Sequence, residues 1–146
     1  MKPVARRLHP DQPMRDYAAR QVADLLRRTI FQANRASTIR DADRIHDLRV
    51  SIRRLTASLR AFQQFFPRAG TKKIRQKLKL AMDLASQVRN RDIALGLLGR
   101  ISLPPESTLT AALEAERSEA EQALAAELNR WSKRGLHRKW RSRLGV

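Results

Sequence analysis

His46, Arg49, Arg53 and Arg60 are the residues of this chain best placed, by type and spacing, to do chemistry. On a helix turning ~100° per residue they fall within about 60° of one another. Their stripe stands roughly 120° round the helix from the centre of its apolar seam. It therefore borders the bundle interior and is not on the far solvent face. Four donors along roughly 20 Å of rigid helix can follow a linear array of anionic oxygens. Arg presents a planar fork to such oxygens and is always charged. His adds a donor whose charge the anion itself can recruit. Charged residues beside a seam are usually only solvated surface. Here no acid interrupts the stripe, and a second cationic face follows in which Lys72, Arg75 and Lys79 project together, with Arg89 more loosely aligned. Arg54 lies off the stripe, where it can pack on a neighbouring helix.

Helices must hold these residues in place. Stretches rich in Ala, Leu, Arg, Lys, Gln and Glu, all good helix formers, run between Gly and Pro marks. Pro3, Pro10 and Pro13 lie near the start, Pro67 and Gly70 midway, Pro104 and Pro105 later, and Gly135 in the tail. The pattern predicts helices at about 12–37, 43–66, 71–99 and 106–131, with a short one at 136–143. Asp41 or Asp43 can cap the second, Thr71 the third, and Pro105 suits the first turn of the fourth. Ile45, Leu48, Ile52, Leu55, Leu59, Phe62 and Phe66 recur at spacings of three and four, which is a bundle seam. No useful length alternates with period two, so no strand is predicted. The expected fold is all-α: an antiparallel four-helix bundle forming a single domain over residues 1–146.

Composition narrows the function. The 146 residues carry 31 Lys and Arg against 14 Asp and Glu, a formal charge of +17. Such a chain repels itself and calls for an anionic partner. The charge is uneven: residues 106–128 hold six Glu and one basic residue, Arg117, while residues 130–143 hold seven basic residues and no acid. The fourth helix thus reads as a solvated helix supported by pairs such as Glu114 with Arg117. There is no Cys, which excludes disulfides and thiolate chemistry. The basic N-terminus is followed by no apolar signal region, and no apolar run approaches membrane-spanning length, so the expected location is the cytoplasm. An enzyme acting on phosphates would want metal-binding carboxylates. Asp41, Asp43 and Asp47 sit at a helix start, Asp83 and Asp92 are too far apart to pair, and His9 and His137 read as surface residues. No metal, cofactor or catalytic residue is expected. Nucleic acid is the rival partner, and nonspecific DNA or RNA contact at low salt is the alternative reading. Single-strand binders usually interleave aromatics with cations. Here only Trp131 and Trp140 stand in a basic stretch, and core or hinge packing suits both better. A membrane-surface role fits only the short tail.

The run His46-Asp47-Leu48-Arg49-Val50-Ser51-Ile52-Arg53-Arg54-Leu55, followed by Leu59-Arg60-Ala61-Phe62, closely resembles the signature helix of the CHAD (conserved histidine α-helical domain) family. Gln87-Val88-Arg89-Asn90-Arg91-Asp92-Ile93 is similar to a second family segment, with Asn90 where the family has Asp. The helix from Leu113 resembles the Ala- and Glu-rich helix that follows. The resemblance implies a polyphosphate-binding module of two pseudo-symmetric helical halves around a basic channel, often found with triphosphate-tunnel domains or polyphosphate granules. It carries His46, Arg49, Arg53, Arg54, Arg60 and Arg89 over as anion ligands. Lys72, Arg75 and Lys79 come from the helical-face reading alone. A full domain holds two such repeats and this chain has room for one. It is therefore expected to be half of a two-repeat domain: either a piece, or a unit that pairs with a second copy to rebuild the channel.

Overall fold

Ile45, Leu48, Ile52, Leu55 and Leu59 are each at most 1% exposed, so the predicted seam is core. The computed structural model describes residues 12–38, 41–101, 104 and 107–146. Among them are five α-helices and no strand: α1 (Gln12–Thr38), α2 (Ala42–Ala61), α3 (Arg68–Arg100), α4 (Thr108–Lys133) and α5 (Leu136–Leu144). The first four pack in a ring, α1 on α2, α2 on α3, α3 on α4 and α4 on α1. With short connections this is the up-and-down arrangement of an antiparallel bundle. Each helix supplies an apolar stripe at three- and four-residue spacing, which on α3 is Ile74, Leu78, Ala81, Ala85 and Val88. The buried Thr29 hydroxyl satisfies itself between α1 and α2, donating to the carbonyls of Leu25 at 2.8 Å and Ser51 at 3.3 Å.

Helix ends follow local chemistry. Asp41 caps α2, its carboxylate accepting from the Arg44 N–H at 2.9 Å. α2 stops at Ala61, short of Phe66. Phe66 precedes Pro67 and is held extended, at φ −124° and ψ 151°, because the proline ring disfavours helical backbone before it. The chain tightens into a 3-10 turn over Gln63–Phe65, leaving Phe66 buried and Phe62 half-buried against the core. Thr71 is not the cap of α3. That helix starts at Arg68 with Pro67 before it, and the Thr71 hydroxyl donates back to the Pro67 carbonyl at 2.8 Å. α4 is capped by Ser107, whose hydroxyl accepts from the Thr110 N–H at 3.1 Å. The expectations for Pro105 and His9 fall outside the described residues.

Two features of α4 differ from a plain solvated helix. Arg117 reaches Asp92 on α3 as well as Glu121 at 2.6 Å, so it ties helices together and is not simply the partner of Glu114. Glu127 is buried, 1% exposed. One of its oxygens accepts from the Trp131 indole N–H at 3.0 Å and the other from Arg130 Nη2 at 2.6 Å. Lys77 of α3 lies 3.6 Å from the same carboxylate. Trp131 in turn meets Trp140 of α5 edge to face, with ring centroids 5.1 Å apart. Both tryptophans are buried core residues. Gly135, left-handed at φ 58°, makes the sharp turn into α5, a conformation that costs a side-chain-bearing residue strain.

Candidate functional site

Between α2 and α3 lies a groove of about 550 Å³. The stripe on α2 and the cationic face of α3 meet there, because both stand beside the seams that draw the two helices together. Arg53 and Arg60 line it from α2, and Lys72, Arg75 and Lys79 from α3. No acidic side chain among the described residues lines it. Its floor is apolar, formed by buried Ile52 and Leu78 with half-buried Met82. Thr56 and Ala57 occupy the turn between Arg53 and Arg60. Their short side chains leave that turn open.

The cations are not neutralised within the groove. The Arg75 Nε is buried and has no hydrogen-bond partner among the described residues, and the same holds for the Nε of Arg49, one turn before Arg53 on α2. A buried donor left unpaired costs about 1–3 kcal/mol, more when charged. Of the two, only Arg75 lines the groove, so its unpaired donor is the one that bears on what the groove can hold. Lys79 pairs with Asp83 at 2.9 Å, but both side chains are well exposed, so that pair is weak and exchangeable.

The structure does not gather the other predicted residues into this lining. His46 and Arg49 continue the α2 stripe beyond the groove's end. Arg54 is exposed and does not line the groove. Arg89 lies about four turns along α3 from Arg75 and lines a separate hollow of about 240 Å³ with Asp92 and Arg100. Among the described residues no group of three or more His, Asp or Glu is placed to hold a metal ion. No helix of the described residues is long and apolar enough to cross a membrane.

A family model described as the CHAD domain matches residues 20–145. The chain belongs to the CHAD domain family. The match takes in α2 to α5 and most of α1. CHAD domains are linked in general to polyphosphate binding, and they are generally binding domains and not catalysts. No curated protein and no solved structure matches the chain. Within this CHAD domain, Thr56, Ala57, Gln76 and Met82 shape the groove, and none of them stood out in the sequence. A small residue one turn from two cations on a helix face was the only signal, and it needs the neighbouring helix to acquire meaning.

Proposed function

We propose that this chain binds inorganic polyphosphate in the α2/α3 groove and does no chemistry on it. The observation that carries the reading is a groove lined by five cations and, among the described residues, no acid, with an unpaired buried guanidinium nitrogen on Arg75. A linear phosphate polymer supplies acceptors at close intervals and has neither bases nor sugars to exclude. Arg53, Arg60, Lys72, Arg75 and Lys79 grip it directly in this reading. His46 and Arg49 extend the track along α2, while Arg54 and Arg89 add to the field that draws the polymer in. The non-catalytic part of the proposal is supported by the binding character of the family in general. The cytoplasm, with its polyphosphate granules, is the location that goes with the proposal.

Calorimetric titration with long-chain polyphosphate at about 150 mM salt, where surface charges are well screened, tests the site. Arg53→Gln with Arg75→Gln removes two charges, as does the control pair Arg138→Gln with Arg141→Gln on α5. The groove pair is expected to weaken binding by about 1.5–3 kcal/mol for each charge-assisted hydrogen bond it removes, and the α5 pair by far less. Equal weakening by the two pairs would leave only a generic attraction of charge. Duplex DNA of matched phosphate count is expected to bind more weakly than polyphosphate, and stronger DNA binding would favour the nucleic-acid reading.

Pairing with a second copy is the second part of the proposal. α3 runs on past its last buried residue, Val88, and displays Ile93, Leu97 and Ile101 at four-residue intervals, 48%, 53% and 66% exposed. This apolar line has the character of a contact surface, and a two-fold pair would set two grooves around one channel. Two chains of +17 repel one another, so the dimer is expected chiefly with polyphosphate present. Sedimentation with and without the polymer checks this. A monomer that still binds tightly would count against the paired channel.

A further inference from the structure

The tail cations form a second groove that lies outside the site described above. α5 stands outside the ring of four helices, against α3. A Cβ on Gly70 of α3 would come 3.3 Å from the Cβ of Arg143, so the helices touch closely there. Further along, Trp140 is anchored on Trp131. Between α3 and α5 opens a hollow of about 420 Å³. Its cations are Lys73, Lys77, Arg134, Lys139 and Arg143, and no acid among the described residues lines it. Lys77 leans on Glu127. The other four make no ion pair with any described residue.

The two grooves share a wall. Lys72, Arg75 and Lys79 face α2, whereas Lys73 and Lys77 face α5, and Gln76 lines both hollows. Gln76 is a neutral ridge residue whose amide can donate to a phosphate oxygen. We propose that the α3/α5 groove is a second subsite for a phosphate chain, and that one chain crosses α3 over Gln76 to occupy both grooves. This rests on the polyphosphate reading of the first groove. The crossing spans one helix, ~10–12 Å across, which a long chain can do and a triphosphate cannot. The second subsite then acts on an already tethered ligand, at high effective concentration. Nucleic acid suits this groove less well. Its one aromatic residue, Trp140, is 1% exposed and its ring is engaged by Trp131, so it offers no face to a base.

The faces of α5 supply the test. Lys139 and Arg143 lie one turn apart and point into the groove, while Arg138 and Arg141 line a different hollow beside Val146. Lys139→Gln with Arg143→Gln is compared with Arg138→Gln and Arg141→Gln, using long-chain polyphosphate and tripolyphosphate as probes. Lys73→Gln on α3 repeats the test without touching α5, and circular dichroism confirms folding. The groove-facing pair should weaken long-chain binding about tenfold or more, with tripolyphosphate binding changed less than about twofold. The outward pair should leave both nearly unchanged. Equal weakening of long-chain binding by the two α5 pairs would overturn the second subsite while the first groove stands. Failure of Arg53→Gln with Arg75→Gln to weaken either probe would instead overturn the reading of the first groove.

Discussion

At the scale of single residues, the least conspicuous member of the groove is the most informative. Ala57 is exposed, uncharged and one turn from both Arg53 and Arg60. Ala57→Leu adds bulk in the groove without altering charge, and Leu keeps nearly the helix propensity of Ala. Stability should change by less than about 0.5 kcal/mol, as at other surface sites. Polyphosphate affinity should fall several-fold in titration. Unchanged affinity would mean that the polymer does not lie between α2 and α3. The cations themselves were legible, because a helix fixes which side chains share a face: Arg53 with Arg60, and Lys72 with Arg75 and Lys79. Their convergence was not, since it depends on how α2 and α3 dock. Arg89 shows the limit. It shares the side of α3 that carries Arg75, yet roughly 20 Å of helix separates them, and the groove closes before reaching it.

Among the elements, the helices were readable from periodicity and punctuation, while what joins them was less so. The seam of α2 needed only spacing. The early end of α2 follows from the constraint that Pro67 places on Phe66, a local effect that the seam pattern masks by continuing through Phe62 and Phe66. Glu127 was hidden because a Glu-rich helix reads as solvated, and nothing in its own sequence separates the one buried glutamate of α4 from its four others. Burial pushes its acidity toward higher pKa. Hydrogen bonds from Arg130 and Trp131 and the charges of Lys77 and Arg130 outweigh that and hold it below the ordinary 4.5. Its folded value is thus lower than its unfolded one, so the unfolded chain takes up the proton first as pH falls. Its stabilisation is complete above the usual Glu range and disappears as pH drops through the folded value. Glu127→Gln is expected to lose about 1–3 kcal/mol at neutral pH. In denaturant melts the gap from the native chain should narrow as pH falls below the ordinary Glu range. A gap that stays constant with pH would mean that the carboxylate charge plays no part in fastening α3, α4 and α5.

For the whole molecule, folding sorts charge that composition only totals. Several acids of α4 and late α3 meet cations away from the α2/α3 groove: Glu116 meets Arg91 at 3.3 Å, Asp92 of α3 is met by Arg117, and Glu127 holds Lys77 of the second hollow. The first half of α3 is left with its Lys and Arg turned to the two hollows, where the lining contains no carboxylate. That lining determines the form in which a phosphate chain can enter. In magnesium-containing solution such a chain carries hydrated Mg²⁺ on its oxygens, and Mg²⁺ is held by oxygen ligands, typically carboxylates with phosphates. No carboxylate among the described residues lines either groove to share the metal, so on the polyphosphate reading the metal is expected to be stripped as the polymer docks. Free Mg²⁺ therefore becomes a competitor of the protein. The dissociation constant is expected to rise more steeply with MgCl₂ than with NaCl at matched ionic strength. Two coincident curves would show that the polymer docks with its metal still attached.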